Sequence, residues 1–389
     1  MRFEFAILFA AIGGTTAQKV VGKAYGFGAG ATGGGSAAAV KPKDAAELKK
    51  LLADDVARTI VLDKTFDFTG SAASGVGCDR KSCSSTSGGQ LYLGDLSCGG
   101  SDNVAKTVKY NSGGTSPLVV GSNKSILGVG GKGIIKGTGL QVKANAKNVI
   151  VQGIELTTIN PGVVWGGDAL DLKGGNSQIW IDHCKFSKVG RMFVVSHYNG
   201  ASVTLSNNVF DGVTSTSASC NKNHYWGLMF IGKNEKATLD KNYFHDQSGR
   251  APKLGQNGVS GTFHAINNYF ENMKGHAFDA YTGANALIEG NAFKAVSQPS
   301  TDSAAKVATF ITNATSGCKN TLGRVCIANS IDSTSGKLGS GSNSGFVSTI
   351  KSVDVPTKLS ADKVAAHVKA NAGPAKLTTS SKFRREMRI

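Results

Sequence analysis

Asp168, Arg191 and Arg250 are the charged side chains whose setting invites chemistry; they are separated by 23 and 59 residues. A carboxylate with two guanidinium groups can counter charge that develops on a ligand in one pocket. Trp165 stands three residues ahead of Asp168, Lys253 three after Arg250, and Tyr225 and Trp226 fall between the two arginines. Flat rings of this kind can stack on the C–H faces of sugars. A lone Arg is usually a solvated surface charge, so the set matters only if the fold brings it together.

Other chemistries are poorly supplied. The seven His are scattered and make no HExxH, and the seven Cys make no CxxC, so neither a catalytic nor a structural zinc site is expected. GVGGKG (128–133) matches GxGxxG, but IIKGTG follows it as strand and turn rather than helix, which argues against nucleotide binding. Cys318 and Cys326 are spaced for a small disulfide-closed loop, while Cys78, Cys83 and Cys98 sit in a Gly/Ser-rich stretch with little else to hold it. An odd number leaves one thiol. Cys184, inside an apolar-alternating strand pattern, is the expected free core residue.

The chain has 389 residues, a net charge of +17, 51 Gly and only 7 Pro. High Gly with abundant Val, Ile, Thr, Ser and Asn suits many short strands joined by tight turns. The glycines follow no three-residue period, which excludes collagen, and no apolar run after the first dozen residues approaches a membrane span. Residues 1–17 read as a secretory leader with cleavage after Ala17. Asn123 and Asn313 begin glycosylation sequons.

The elements that must position the charged residues are announced by an internal repeat. IWIDHCKF (179–186), VTLSNNVF (203–210), ATLDKNYF (237–244), FHAINNYF (263–270) and ALIEGNAF (286–293) share apolar-x-apolar-x-x-[Asn/Cys]-x-Phe. The Asn/Cys column falls at Cys184, Asn208, Asn242, Asn268 and Asn291, in steps of 24, 34, 26 and 23 residues. Units this short cannot fold alone. Stacked, they predict an all-β fold: a right-handed, single-stranded parallel β-helix with Phe inside, Asn in a ladder and insertions in loops on one side. Asp44–Ala57 reads as an amphipathic helix capping the first coil. Ser360–Ala370 reads as a helix packed outside, with Gly373 after its end. The β-helix domain is expected over 18–373, followed by a basic tail over 374–389.

VVWGGDALDL (163–172), IWIDHCKF (179–186), VGRMFVV (189–195), HYWGLMF (224–230) and SGRAPK (248–253) resemble the signature blocks of pectin lyases, within the polysaccharide lyase family that also holds the pectate lyases. SNKSILGVGGKGIIKGTGL (122–140) and TINPGVVWGGDA (158–169) extend the likeness, which runs from about residue 20 to 350. The resemblance implies a parallel β-helix and a β-elimination: the C5 proton of a galacturonate unit is removed and the glycosidic oxygen at C4 expelled. It makes Arg250 the Brønsted base, with Arg191 and Asp168 as its catalytic companions. It makes Trp165, Tyr225, Trp226 and Lys253 substrate-binding residues. An ordinary guanidinium gives up its proton only above ~12, so an Arg base needs a positive neighbour or exclusion from water; Arg191 and Lys253 are the candidate neighbours. The disulfides implied are Cys78–Cys98, Cys83–Cys220 and Cys318–Cys326.

In pectate lyases a series of Asp near this face binds calcium. Here Arg191 and Val195 stand where further acidic ligands are expected, so no metal or other cofactor is implied and the substrate is methyl-esterified pectin. The rivals are a calcium-dependent pectate lyase and a non-catalytic pectin-binding protein on the same scaffold. Fungal pectin lyases carry more tryptophans in the first disulfide loop, whereas SCSSTSGGQLYLGDLSC (82–98) has Tyr92 as its only aromatic. With the +17 charge, that predicts preference for partially esterified pectin. The expected protein is a secreted, extracellular monomer with no nucleic-acid or membrane partner.

Overall fold

The apolar-x-apolar segments form ladders of parallel strands. The computed structural model describes residues 18–312, 318–339 and 345–377. The expected leader over 1–17, Asn313 and the basic run from 382 lie outside these residues. Sheet I contains ten strands, from Ala39–Val40 through Asn176–Asp182 and Glu235–Asp240 to Thr309–Phe310. Sheet II takes the next strand of each coil, including Lys185–Val189, Val209–Asp211 and Tyr243–His245. Sheet III follows with Leu118–Val120, Leu140–Val142, Leu170–Leu172, Val194–Ser196, Leu228–Phe230 and Lys253–Leu254. The long strand Tyr269–Ala280 runs from sheet II into sheet III, joining them at one coil. This is a parallel β-helix.

The two repeated columns close the coils. Phe186, Phe210, Phe244, Phe270 and Phe293 are buried and stacked, with successive ring centroids 5.1, 4.7, 4.8 and 4.8 Å apart. Along the neighbouring turn, Asn208 Oδ1 accepts from Cys184 N at 2.9 Å. The amides of Asn208, Asn242 and Asn268 each donate to the Oδ1 of the next Asn at 2.9 Å. The residue before each rung (His183, Asn207, Lys241, Asn267) has positive φ, and Gly290 fills that place in the last repeat. This left-handed residue makes the corner between sheets I and II, a conformation Gly and Asn adopt at least cost. A further rung was not recognised in the repeat: Asn291 Nδ2 donates to Asn329 Oδ1 at 3.0 Å, and Ile331 pairs opposite Phe293.

The ends are covered as expected, with adjusted boundaries. The first helix spans Ala45–Ala53, capped by Asp44, and buries Leu48 and Leu52 against the first coil. It stops short of Ala57 because Asp54 turns to bind Arg58, while the fully buried Lys124 ammonium gathers the carbonyls of Asp54, Val56 and Ser122. The helix Ala361–Asn371 lays Val364 and Val368 on Tyr269 and Ala292, outside sheet II. The first tail residues continue onto the body: Pro374–Lys376 form a short turn, with Ala375 beside Gly131.

The three disulfides are Cys78–Cys98, Cys83–Cys220 and Cys318–Cys326, and Cys184 is free and buried. Asn123 is half-buried, with its amide nitrogen donating to the Asp55 carbonyl. Beside the helix stands a small sheet of Ala72–Arg80, Leu91–Leu93, Asn103–Asn111 and Val163–Val164. Removing one ring from the Phe column opens a cavity that closed coils cannot collapse. Phe244→Ala is expected to cost about 3–5 kcal/mol, read as a lower denaturant midpoint at unchanged slope.

Candidate active site

The insertions between sheets II and III carry the candidate residues. Pairing fixes their relative heights. Leu170 is opposite Val194, Val194 opposite Leu228, and Met229 opposite Lys253. Asp168, Met192, Trp226 and Arg250 therefore occupy equivalent places on four successive coils, just before sheet III. Arg191 and Asp168 are on adjacent coils. Arg250 is two coils beyond Arg191, about 10 Å at strand spacing, with the Trp226 coil between them.

Arg191 and Asp168 form a two-pronged ion pair, with Nε to Oδ1 at 2.9 Å and Nη2 to Oδ2 at 2.6 Å. Asp168 Oδ1 also accepts from Met192 N at 2.8 Å. The Arg191 guanidinium lies 4.3 Å from the Trp165 ring centroid, and Trp165 Nε1 donates to Ser97 Oγ at 3.0 Å. Trp165 follows Val163–Val164, which pairs with Leu91–Leu93, and packs against the Cys78–Cys98 region. The side sheet thus supports the ring, and the ring supports the arginine.

Arg250 is built differently. Its guanidinium lies 4.8 Å from the Trp226 centroid and 5.6 Å from Tyr225, and Nη1 is 3.6 Å from Met229 Sδ. No carboxylate among the described residues pairs with it. Its backbone is left-handed, φ 47°, and its N–H donates to His276 Nε2 at 3.0 Å. His276 must therefore be neutral with its proton on Nδ1. Burial holds its pKa below the usual imidazole value, and the Arg250 and Lys253 charges act the same way against the opposing pull of Asp279. Burial, then the Arg250 charge, also lowers the Lys253 ammonium, which sits 4.4 Å from the Tyr281 centroid. Of the two cations expected beside Arg250, Lys253 is the one coupled to it; the Arg191 charge faces Asp168.

The fold thus brings the catalytic and substrate-binding candidates onto one face. Each arginine covers part of a neighbouring indole: Arg191 on Trp165, Arg250 on Trp226. Sequence reasoning missed Ser97, Gln90 (which accepts from Trp226 Nε1 at 3.0 Å), His276 and Tyr281. The first two lie in the disulfide loop, whose docking has no repeat to reveal it. The other two continue the Arg250 azimuth onto the next coil, a signal that extending the repeat would have found.

Calcium needs several oxygens converging on one point. Both Asp168 oxygens face Arg191, both Asp171 oxygens face His197 and Lys173, and the next outward positions are Val195 and Met229. Among the described residues no three His, Cys, Asp or Glu converge as a metal would require. The donor set on this face does not fit calcium.

A parallel β-helix with basic residues ranked along one face defines a class, and comparison agrees with it. The pectate lyase family profile matches residues 96–377, and the chain belongs to that family. It is 45% identical to the probable pectin lyase F-2 of Aspergillus terreus, over 93% of this chain and 75% of the relative. It is 43% identical to the probable pectin lyase E of Aspergillus fumigatus, over 93% and 97%. In fold it is similar to a Bacillus subtilis pectate lyase, with a TM-score of 0.56 at 18% identity over 93% of this chain and all of the other. The Bacillus sp. N165 pectate lyase solved with trigalacturonate gives 0.52 at 20% identity, over 91% and 99%.

His224 anchors the loop that carries Tyr225 and Trp226. It is buried, stacks on Phe193 at 4.1 Å and shares a hydrogen with the Trp226 carbonyl at 2.9 Å, so its Nε2 carries the proton. Burial pushes its pKa down to about 4. The unfolded chain, with His near ~6.5, therefore takes up the proton first as pH falls. His224 then costs stability from about pH 6.5 down to about 4, at up to about 1.4 kcal/mol per unit. His224→Gln is expected to flatten that part of the stability–pH curve relative to the parent; identical slopes in denaturant titrations would refute the assignment.

Proposed function

We propose that this chain is a pectin lyase that cleaves α-1,4-linked, methyl-esterified galacturonan by β-elimination, without a metal, as a secreted monomer. The observation that carries the reading is the Arg191–Asp168 pair, which fixes a positive group on the face where calcium-dependent relatives gather carboxylates. An esterified uronate brings no charge for calcium to neutralise. What it needs is a fixed positive group near the ester carbonyl as negative charge develops there. Three disulfides suit an oxidising compartment.

In this reading Arg250 takes the proton from C5. The C–H electron pair forms the C4–C5 double bond, the C4–O bond breaks, and the leaving oxygen is protonated to a hydroxyl. The products are one chain with a new unsaturated end and one with an ordinary end. Arg250 suits the role by having no carboxylate partner and by being held at its backbone by His276 and across its plane by Trp226. Asp168 orients Arg191. Lys253 and the exposed parts of Trp226 and Tyr225 line the path of the polymer, and Lys253 favours units whose carboxylate is free, hence partially esterified pectin.

The ultraviolet absorbance of the conjugated uronate product reports turnover directly. Arg250→Lys is expected to lower kcat by about 100-fold or more with an unchanged melting temperature. Turnover within a few-fold of the parent would overturn the assignment of the base.

A further inference from the structure

Sheet III has a second built feature, at the opposite end of its strands from the catalytic residues. Arg191 precedes the strand Val194–Ser196 and Tyr198 follows it. Seven residues of extended chain separate them by at most about 23 Å. The Tyr198 side is 63% exposed, and no other aromatic ring among the described residues is so open. An exposed ring gains little from folding, yet this one is held firmly in place.

The Tyr198 ring stacks on His197, with centroids 4.1 Å apart and planes at 28°. His197 Nε2 is 2.8 Å from Asp171 Oδ1, and the other Asp171 oxygen is 2.7 Å from Lys173 Nζ. That ammonium lies 5.9 Å from the Tyr198 centroid. Burial alone would raise the Asp171 pKa; the bonds from His197 and Lys173 outweigh it and keep the carboxyl below its usual range, so the clamp is charged. Tyr198 has φ 56°, a left-handed conformation that costs a Tyr of order 1 kcal/mol. Gly174 makes room underneath: a Cβ there would come within 2.8 Å of Asn199 N and 3.0 Å of Tyr198 Cβ. A strained backbone, a glycine and a three-residue ionic clamp all serve to present one flat ring beside one cation.

We infer that Tyr198 and Lys173 form a second polysaccharide-binding surface outside the catalytic cluster, Tyr198 stacking on a pyranose ring and Lys173 meeting a free uronate carboxylate. This rests on the galacturonan reading above for the ligand's identity, though not for the presence of the site. A secondary hold of this kind would keep a long chain on the enzyme between cuts, while a short oligomer occupying only the catalytic face would not feel it.

The test is affinity electrophoresis of the full chain through gels containing partially esterified pectin, alongside turnover of a short methyl-esterified oligogalacturonide. Tyr198→Ala is expected to weaken retention about three- to tenfold, Tyr198→Phe to restore it, and kcat on the short oligomer to stay within twofold in both. Since the side chain is exposed, matched thermal melts check the fold. Retention equal to the parent in Tyr198→Ala, or a parallel fall in kcat on the short oligomer, would overturn the inference. Absence of unsaturated product from the parent protein would instead strike the lyase reading, and a Tyr198-dependent retention would survive it.

Discussion

The corner between sheets I and II is the constraint on which the rest of the molecule depends. One left-handed residue turns the chain, and the next places a side-chain amide in a continuous hydrogen-bonded ladder from Cys184 to Asn329. Each rung satisfies backbone as well as its neighbour; Asn242, for example, also accepts from Asn208 N and donates to the Leu205 carbonyl. Buried amides that each find partners both stabilise and specify, because a coil out of register would leave several of them unpaired. The insertion that makes one step 34 residues long is therefore pushed outward, into 212–227, without rotating the next coil. That is why Arg250 returns to the azimuth of Asp168.

On that frame the two arginines do different work because their surroundings differ. Arg191 is neutralised and aimed by Asp168 and backed by Trp165, so its position is set before any ligand arrives. Arg250 has rings, a thioether and an imidazole around it but no counter-charge among the described residues. A face with one paired guanidinium and one unpaired suits an uncharged ester that becomes negative only during reaction. The same pairing occupies the oxygens a divalent cation would need, which separates this chain from the calcium-gathering members of its family.

Much of this was legible in the sequence for a physical reason: a β-helix repeats one local solution, so Asn, Phe and their spacing recur. The core rings, the free Cys184 and the covering helices followed from periodicity, and the disulfide pairings from the resemblance. What escaped was whatever the repeat does not encode. Asn329 was hidden because Ile331 replaces the ring of its coil. Helix one ends at Ala53, earlier than its pattern, because Asp54 and Lys124 form a polar cluster across the chain. The partners Ser97 and Gln90 lie more than sixty residues from the tryptophans they hold. Spacing also placed the three charged residues on one face but did not reveal that the Trp226 coil stands between the arginines.

The central claim is that a fixed guanidinium, oriented by a carboxylate, stands in for a metal. The most direct measurement is the initial rate of unsaturated product formation on highly esterified pectin, first in EDTA and then with excess calcium. The account predicts the same rate in both. A rate abolished by the chelator and restored by calcium would contradict it.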